Sequence, residues 1–76
     1  MTLYELTNQI TLQGNIEVIV FDEKGNEKET RFIPDVDDLD VYCYDIDDLE
    51  ELEVKYMYAK KEFGIYKMVI EITEEE

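Results

Sequence analysis

An α+β fold is predicted by three features of this chain: a capped amphipathic segment at its start, two pairs of β-branched stretches joined by turn residues, and a lone proline where a strand has to stop. The expected architecture is a short N-terminal helix packed on a four-stranded antiparallel sheet made of two hairpins, with an acidic connecting segment at 35–51. Seventy-six residues suit one small domain, 1–76. Residues 74–76, all glutamate, are expected to form a frayed tail.

The helix is placed first. Thr2-Leu3-Tyr4-Glu5 has the capping-box pattern, in which the Thr hydroxyl accepts from the Glu amide and the Glu side chain reaches back. Leu3, Leu6 and Ile10 share one helical face, and Gly14 closes the segment. The helix is therefore expected at about 3–11. Residues 16–21 are β-branched and partly alternating, and Asp22-Glu23-Lys24-Gly25-Asn26 is a turn cluster. Residues 28–33 return as a second strand, ended by Pro34, which has no amide to donate. Residues 52–59 alternate, with Leu52, Val54, Tyr56 and Tyr58 on one side. Lys60 to Gly64 turns, and 65–73 returns with Tyr66, Met68, Ile70 and Ile72 on one side. The helix is expected to pack on Ile16, Val18, Val20, Phe32, Val54, Tyr56, Met68 and Ile70. The opposite face then holds Ile19, Phe21, Ile33, Met57 and Val69 among Glu17, Arg31, Lys55, Lys67 and Glu71.

The middle of the chain repeats itself. Asp35-Val36-Asp37-Asp38-Leu39-Asp40 recurs ten residues later as Asp45-Ile46-Asp47-Asp48-Leu49-Glu50. Each copy has an Asp at an N-cap position, an Asp three residues on, and an inward Leu. Val41-Tyr42-Cys43-Tyr44 between them favours strand. Two short helical turns flanking an extended piece are expected; a single helix over 36–50 is the alternative, supported by the 3-4-3 spacing of Val36, Leu39, Cys43 and Ile46.

Charge is the dominant feature. Twenty-one acidic residues face seven basic ones, a net charge of -14. Ten of the acids fall between Phe32 and Val54 with no base among them: Asp35, Asp37, Asp38, Asp40, Asp45, Asp47, Asp48, Glu50, Glu51 and Glu53. A one-signed field is a statement about partners rather than fold. With 45% apolar residues the chain is not compositionally disordered. Crowded carboxylates on a small core also predict that salt, and mild acid toward pH 5, stabilise the fold.

Missing residues exclude most enzymology. There is no His and no Ser, so serine–histidine and cysteine–histidine nucleophiles are excluded. The three glycines are isolated, so no phosphate loop exists. Asp35-x-Asp37 and Asp45-x-Asp47 open like calcium loops, but their sixth positions lack Gly and their twelfth are Ile46 and Tyr56. Paired carboxylates for glycoside hydrolysis need a deep cleft, for which the chain has little volume. The lone Cys43 permits no internal disulfide and no four-cysteine zinc site, which fits a reducing cytoplasm. Its anionic neighbours argue for a packed rather than a reactive thiol. The opening residues lack the charge and apolar run of a signal peptide or a membrane span. No enzymatic activity, cofactor, metal site or membrane partner is therefore expected.

The acidic run is the candidate site. Val36, Leu39, Ile46, Leu49 and Leu52 interleave with the acids and are placed to hold them in shape. Carboxylates two apart on a strand lie about 6.5 Å apart, and a rigid row of them is suited to replacing a phosphate backbone against a Lys/Arg-lined channel. Tyr42 and Tyr44 sit inside the run as candidate aromatic anchors. The expected partner-binding set is Asp35, Asp37, Asp38, Asp40, Tyr42, Tyr44, Asp45, Asp47, Asp48, Glu50 and Glu51. In composition the chain resembles the small acidic DNA mimics that phages and mobile elements use against restriction and CRISPR systems. The opening Met1-Thr2-Leu3-Tyr4-Glu5-Leu6 and the hairpin with Asp22-Glu23-Lys24-Gly25 are also similar to small proteins carried on mobile elements of Gram-positive bacteria. The resemblance implies a non-enzymatic inhibitor of a basic nucleic-acid-binding protein, such as a CRISPR nuclease, that does not itself bind nucleic acid. The alternative is a protein-interaction module that docks through the Ile19/Phe21/Ile33/Met57/Val69 face or a strand edge.

Overall fold

A computed structural model describes residues 1–74. Its elements are α1 (Leu3–Gln9), β1 (Gly14–Phe21), β2 (Glu27–Val36), a single 3-10 turn at Asp47–Leu49, β3 (Glu53–Glu62) and β4 (Ile65–Thr73). The capping box forms as its residues dictate: Thr2 accepts from the Glu5 amide at 3.2 Å, and the Glu5 carboxylate accepts from the Thr2 amide at 3.1 Å. The helix is shorter than expected. Ile10 already has extended backbone, and its side chain is exposed rather than packed. Among the described residues, no helix is long and apolar enough to cross a membrane.

The strand order is β2-β1-β4-β3. β1 pairs antiparallel with β2, and β3 antiparallel with β4. The central pair, β1 and β4, is parallel, with Ile16 opposite Met68 and Val20 opposite Ile72. The sheet is therefore mixed, and the expected all-antiparallel sheet of two hairpins is corrected. The parallel pair has a geometric consequence. β2 ends beside Gly14, whereas β3 starts beside Thr73 at the other end of the sheet. Residues 37–52 have to travel the length of the sheet to join them. Parallel strands always require such a crossover, of a dozen residues or more.

That crossover is not a solvated loop. Val36, Leu39, Val41, Ile46 and Leu49 are all less than 5% exposed. Together with Leu3, Leu6 and Leu12 they cover Ile16, Val18, Val20, Ile70 and Ile72 on one face of the sheet. The core thus has two layers, a sheet below and α1 with the crossover above. The crossover is pinned by backbone bonds as well. The Leu39 amide donates to the Leu12 carbonyl at 3.1 Å, and the Leu3 and Tyr4 amides, free at the helix start, donate to Leu52 and Glu50 carbonyls at 3.0 Å.

Local structure within the crossover departs from expectation. Residues 41–45 form a turn rather than an extended piece: Tyr44 N–H donates to Asp40 and Ile46 N–H to Val41. Asp40 Oδ1 accepts from the Tyr42 amide at 2.8 Å, an Asx-type start to that turn. The second copy of the repeat supplies the 3-10 turn, but its cap position is Ile46 and makes no side-chain cap bond. The first copy is not helical. A single helix over 36–50 is ruled out because Val36 completes β2 and Asp45 sits at φ +60. Asp35 likewise sits at φ +53; both are left-handed positions that Asp tolerates and a helix does not.

Two face assignments are also corrected. β2 register places Ile33 opposite Ile16 and Arg31 opposite Val18, on the core side, so Phe32 faces away and is 55% exposed. In β3 an irregularity between Val54 and Tyr56 shifts the alternation by one residue. Met57 then lies opposite core residue Ile70, while Tyr56 turns outward. Glu74 is held in place, its amide donating to Phe21 and its carboxylate accepting from Lys28. Glu75 and Glu76, the rest of the expected tail, lie outside the described residues.

A covering layer and a solvated connection respond differently to truncation. Leu39→Ala should cost about 2–5 kcal/mol, the range for buried leucines. That is comparable to the ~3–5 kcal/mol a core of this size supplies. The urea unfolding midpoint should collapse, whereas Asp38→Ala beside it should change stability by less than ~0.5 kcal/mol. Equal midpoints for the two variants would return the segment to a loop.

Candidate functional site

The crossover sorts its side chains by chemistry. Each apolar member of the repeat is buried in the core, and the aspartates beside it are exposed. The ten carboxylates then divide by partner. Asp40 caps the 41–45 turn. Glu50 accepts from the Tyr42 hydroxyl at 2.6 Å, and Glu53 accepts from the Met1 amino group at 2.8 Å. Asp48 receives both Arg31 Nη atoms at 2.7 Å, a bidentate pair. Arg31 also meets Glu29 at 3.1 and 3.3 Å and donates to the Asp45 carbonyl. Asp35, Asp37, Asp38, Asp45, Asp47 and Glu51 have no side-chain hydrogen bond or ion pair to their carboxylates among the described residues.

The run is therefore not wholly uncompensated, as the sequence suggests. Arg31, expected on the far face, reaches from the β2 edge and clamps the 3-10 turn. It was missed because the phase expected for β2 sent it to the far face; the correct phase of β2 is the signal that reveals it. The clamp is electrostatically consistent. Hydrogen bonds from Arg31 lower the Asp48 pKa, and the two carboxylates hold the guanidinium protonated. Tyr42 is pushed up to about 12, chiefly by its bond to Glu50.

The two tyrosines have different roles. Tyr44 is half-buried against the core, and its hydroxyl accepts from the Asp37 amide at 3.4 Å. Tyr42 is 61% exposed, its ring meeting Tyr4 edge-on at 6.4 Å. Cys43 is exposed, so the packed thiol expected there is not found. An open cleft of about 580 Å³ lies between β2 and the crossover, lined by Arg31, Phe32, Ile33, Tyr44, Asp45, Ile46, Asp47 and Asp48. Among the described residues, no group of three His, Cys, Asp or Glu side chains is arranged to hold a metal ion.

The expected apolar docking face does not exist as one surface. Ile33 and Met57 lie on the core side, and Val69 is fully buried on the other. Ile19 and Phe21 are half-buried. What that far face exposes is Phe32, Tyr56 and Tyr58, the last bonded to Glu71. No protein-family model, curated protein or solved structure matches the chain.

The shifted carboxylates give a pH dependence. Glu5, Asp22, Asp48 and Glu62 all move down, held by Thr2, the Asn26 amide, Arg31 and Lys60 respectively. A lowered folded pKa gives stability that is present above the unfolded value and lost as pH falls through the folded one. For these groups acid therefore destabilises, the reverse of the acid stabilisation expected from crowding. At pH 7, Asp48→Asn should cost about 0.5–1 kcal/mol, the value of a well-formed exposed pair. The difference from wild type should vanish as pH falls through the lowered Asp48 value, below its usual 3.8. Asp47→Asn should be neutral or mildly stabilising at pH 7. Urea midpoints of the three proteins between pH 7 and 2 check this; an Asp48→Asn deficit that persists undiminished at pH 2 contradicts the assignment.

Proposed function

We propose that the protein is a non-enzymatic inhibitor that presents the crossover as a nucleic-acid-like surface to a basic nucleic-acid-binding protein. The target class that suits it is a bacterial defence nuclease, such as a CRISPR effector, whose guide–target duplex lies in a positively charged channel. The observation that carries this reading is the set of unpartnered carboxylates on a layer anchored in the core. Loose acidic loops lose side-chain and backbone freedom on binding; anchored ones have already lost much of it.

Charge spacing is compatible with mimicry. The crossover spans a sheet whose strand β1 has eight residues, or about 26 Å at ~3.3 Å per residue. One DNA strand carries a phosphate every ~3.4 Å, so about eight over that length. Asp35, Asp37, Asp38, Asp45, Asp47 and Glu51 supply six charges over a similar reach. Asp48 is already neutralised by Arg31 and contributes less. Tyr42, exposed beside Glu50, supplies an aromatic contact.

The test follows from that division. Asp37, Asp38, Asp45 and Asp47 changed together to Asn keep size and shape, and Asn tolerates the left-handed backbone at 45. Against a guide-loaded CRISPR nuclease, affinity should fall at least tenfold, about 1.4 kcal/mol. The log Kd against log salt slope should become shallower, since fewer ions are exchanged. Target DNA and this protein should compete. A complex in which nuclease, DNA and this protein coexist, or an affinity indifferent to salt, would falsify occlusion by mimicry.

A further inference from the structure

Two tyrosines from distant segments meet on the acidic layer. Tyr4 stands in the first turn of α1 and Tyr42 in the 41–45 turn. Their ring centres lie 6.4 Å apart, with the planes at 69°. Edge-to-face packing is a favourable aromatic geometry, but it buries neither ring: Tyr4 is 44% exposed and Tyr42 61%. Glu50 ties both to one place. Its carbonyl accepts from the Tyr4 amide at 3.0 Å, and its carboxylate Oε2 accepts from the Tyr42 hydroxyl at 2.6 Å. That second bond is the main reason the Tyr42 hydroxyl holds its proton above the usual range; desolvation follows, and Tyr4 and Asp47 add to it. The rings are therefore positioned before any partner arrives, and less side-chain freedom is lost on binding.

Two exposed ring planes at a wide angle enclose an open corner. Aromatic faces carry negative potential, and the charged groups that act on the pair, Glu50 and Asp47, are negative as well. Each of these features favours a cation. Elsewhere the chain fills such a position itself: Lys61 Nζ sits 5.3 Å from the centre of the Tyr66 ring. Among the described residues no lysine or arginine stands over Tyr4 or Tyr42. Asp47 has no partner for its carboxylate among them, and Glu50 engages only Oε2.

We propose that the Tyr4–Tyr42 corner, with Glu50 and Asp47 beside it, grips an arginine side chain of the basic partner. A guanidinium suits the corner better than an ammonium. It is planar, it is more weakly hydrated, and it stacks on a ring while its N–H groups reach a carboxylate. The inference rests on the reading above for a basic partner and adds the side chain that partner offers. It also gives Tyr4, on the helix and outside the acidic run, a part in binding.

Calorimetry with oligo-arginine and oligo-lysine peptides of equal length tests it, at about 0.05 M salt, where charge is weakly screened. Charge alone attracts both peptides. Wild type should bind oligo-arginine about threefold or more tighter, the size of effect a cation–π contact at an exposed site supplies. Tyr4→Leu and Tyr42→Leu should each remove most of that preference. Both should leave the oligo-lysine affinity unchanged, which shows the acidic layer still in place. Tyr42→Phe loses the bond to Glu50 but keeps the ring, and should keep the preference. Equal affinity of wild type for the two peptides, binding to neither, or a preference that survives both leucine variants overturns the inference. So does a parallel loss of oligo-lysine affinity, which would assign the rings to holding the layer in shape. Competition with target DNA tests the other reading separately. A protein that prefers oligo-arginine through these rings, yet binds the nuclease together with its DNA, keeps this inference and loses occlusion.

Discussion

The parallel pairing of β1 with β4 is the constraint on which the rest of the molecule depends. Were that pair antiparallel, β2 would end where β3 begins, and a few residues would connect them. Because it is parallel, residues 37–52 must run from one end of the sheet to the other. Sixteen residues can span over 50 Å when extended, about twice the strand length. The surplus is taken up by the 41–45 turn and the 3-10 turn. The path puts Leu39, Val41, Ile46 and Leu49 over the apolar face of the sheet, where a small domain needs a second layer.

Charge follows from that topology. A layer one residue thick has an inner side and an outer side, so a segment alternating Leu or Ile with Asp buries the first and displays the second. The carboxylates are then fixed by hydrophobic burial rather than by ion pairs, and most stay free for a partner. Arg31 is the exception, and its position is informative. It ties the edge strand to the 3-10 turn through Asp48, at the margin where the crossover would otherwise lift from the sheet. Self-repulsion among the remaining acids is the cost of holding them together, and the buried side chains beneath them offset it.

Much of the local structure was legible in the chain. The capping box and the Asp22-to-Asn26 turn rest on short-range chemistry, and each can be read from neighbouring residues; the expected stop at Pro34 is corrected, because β2 is an edge strand that carries the proline and runs on to Val36. Asp22, for example, accepts from the Lys24 and Asn26 amides within its own turn. Strand direction was not legible in that way, because alternation looks the same in either orientation. A partial signal lay in the near-continuous apolar runs at 18–21 and 68–70, a pattern that suits the central strands of a sheet with a parallel pair. The phase of β3 was lost to one irregularity at Lys55, and that of β2 to the pull of Phe32, a large apolar residue the fold leaves outside. The acidic run was recognised as a site by its charge, but its division into paired and unpaired carboxylates depends on Arg31, Tyr42 and Met1, contacts between distant segments.

The acidic crossover is a folded layer, not a connection. Amide hydrogen exchange followed by NMR tests it residue by residue. The Leu39 amide donates to Leu12 and the Ile46 amide to Val41, both over the core. These two should exchange as slowly as the central-strand amides of β1, within about tenfold, because they open only when the domain unfolds. Exchange at the rate of an unstructured peptide at Leu39 and Ile46, with β1 still protected, would contradict it.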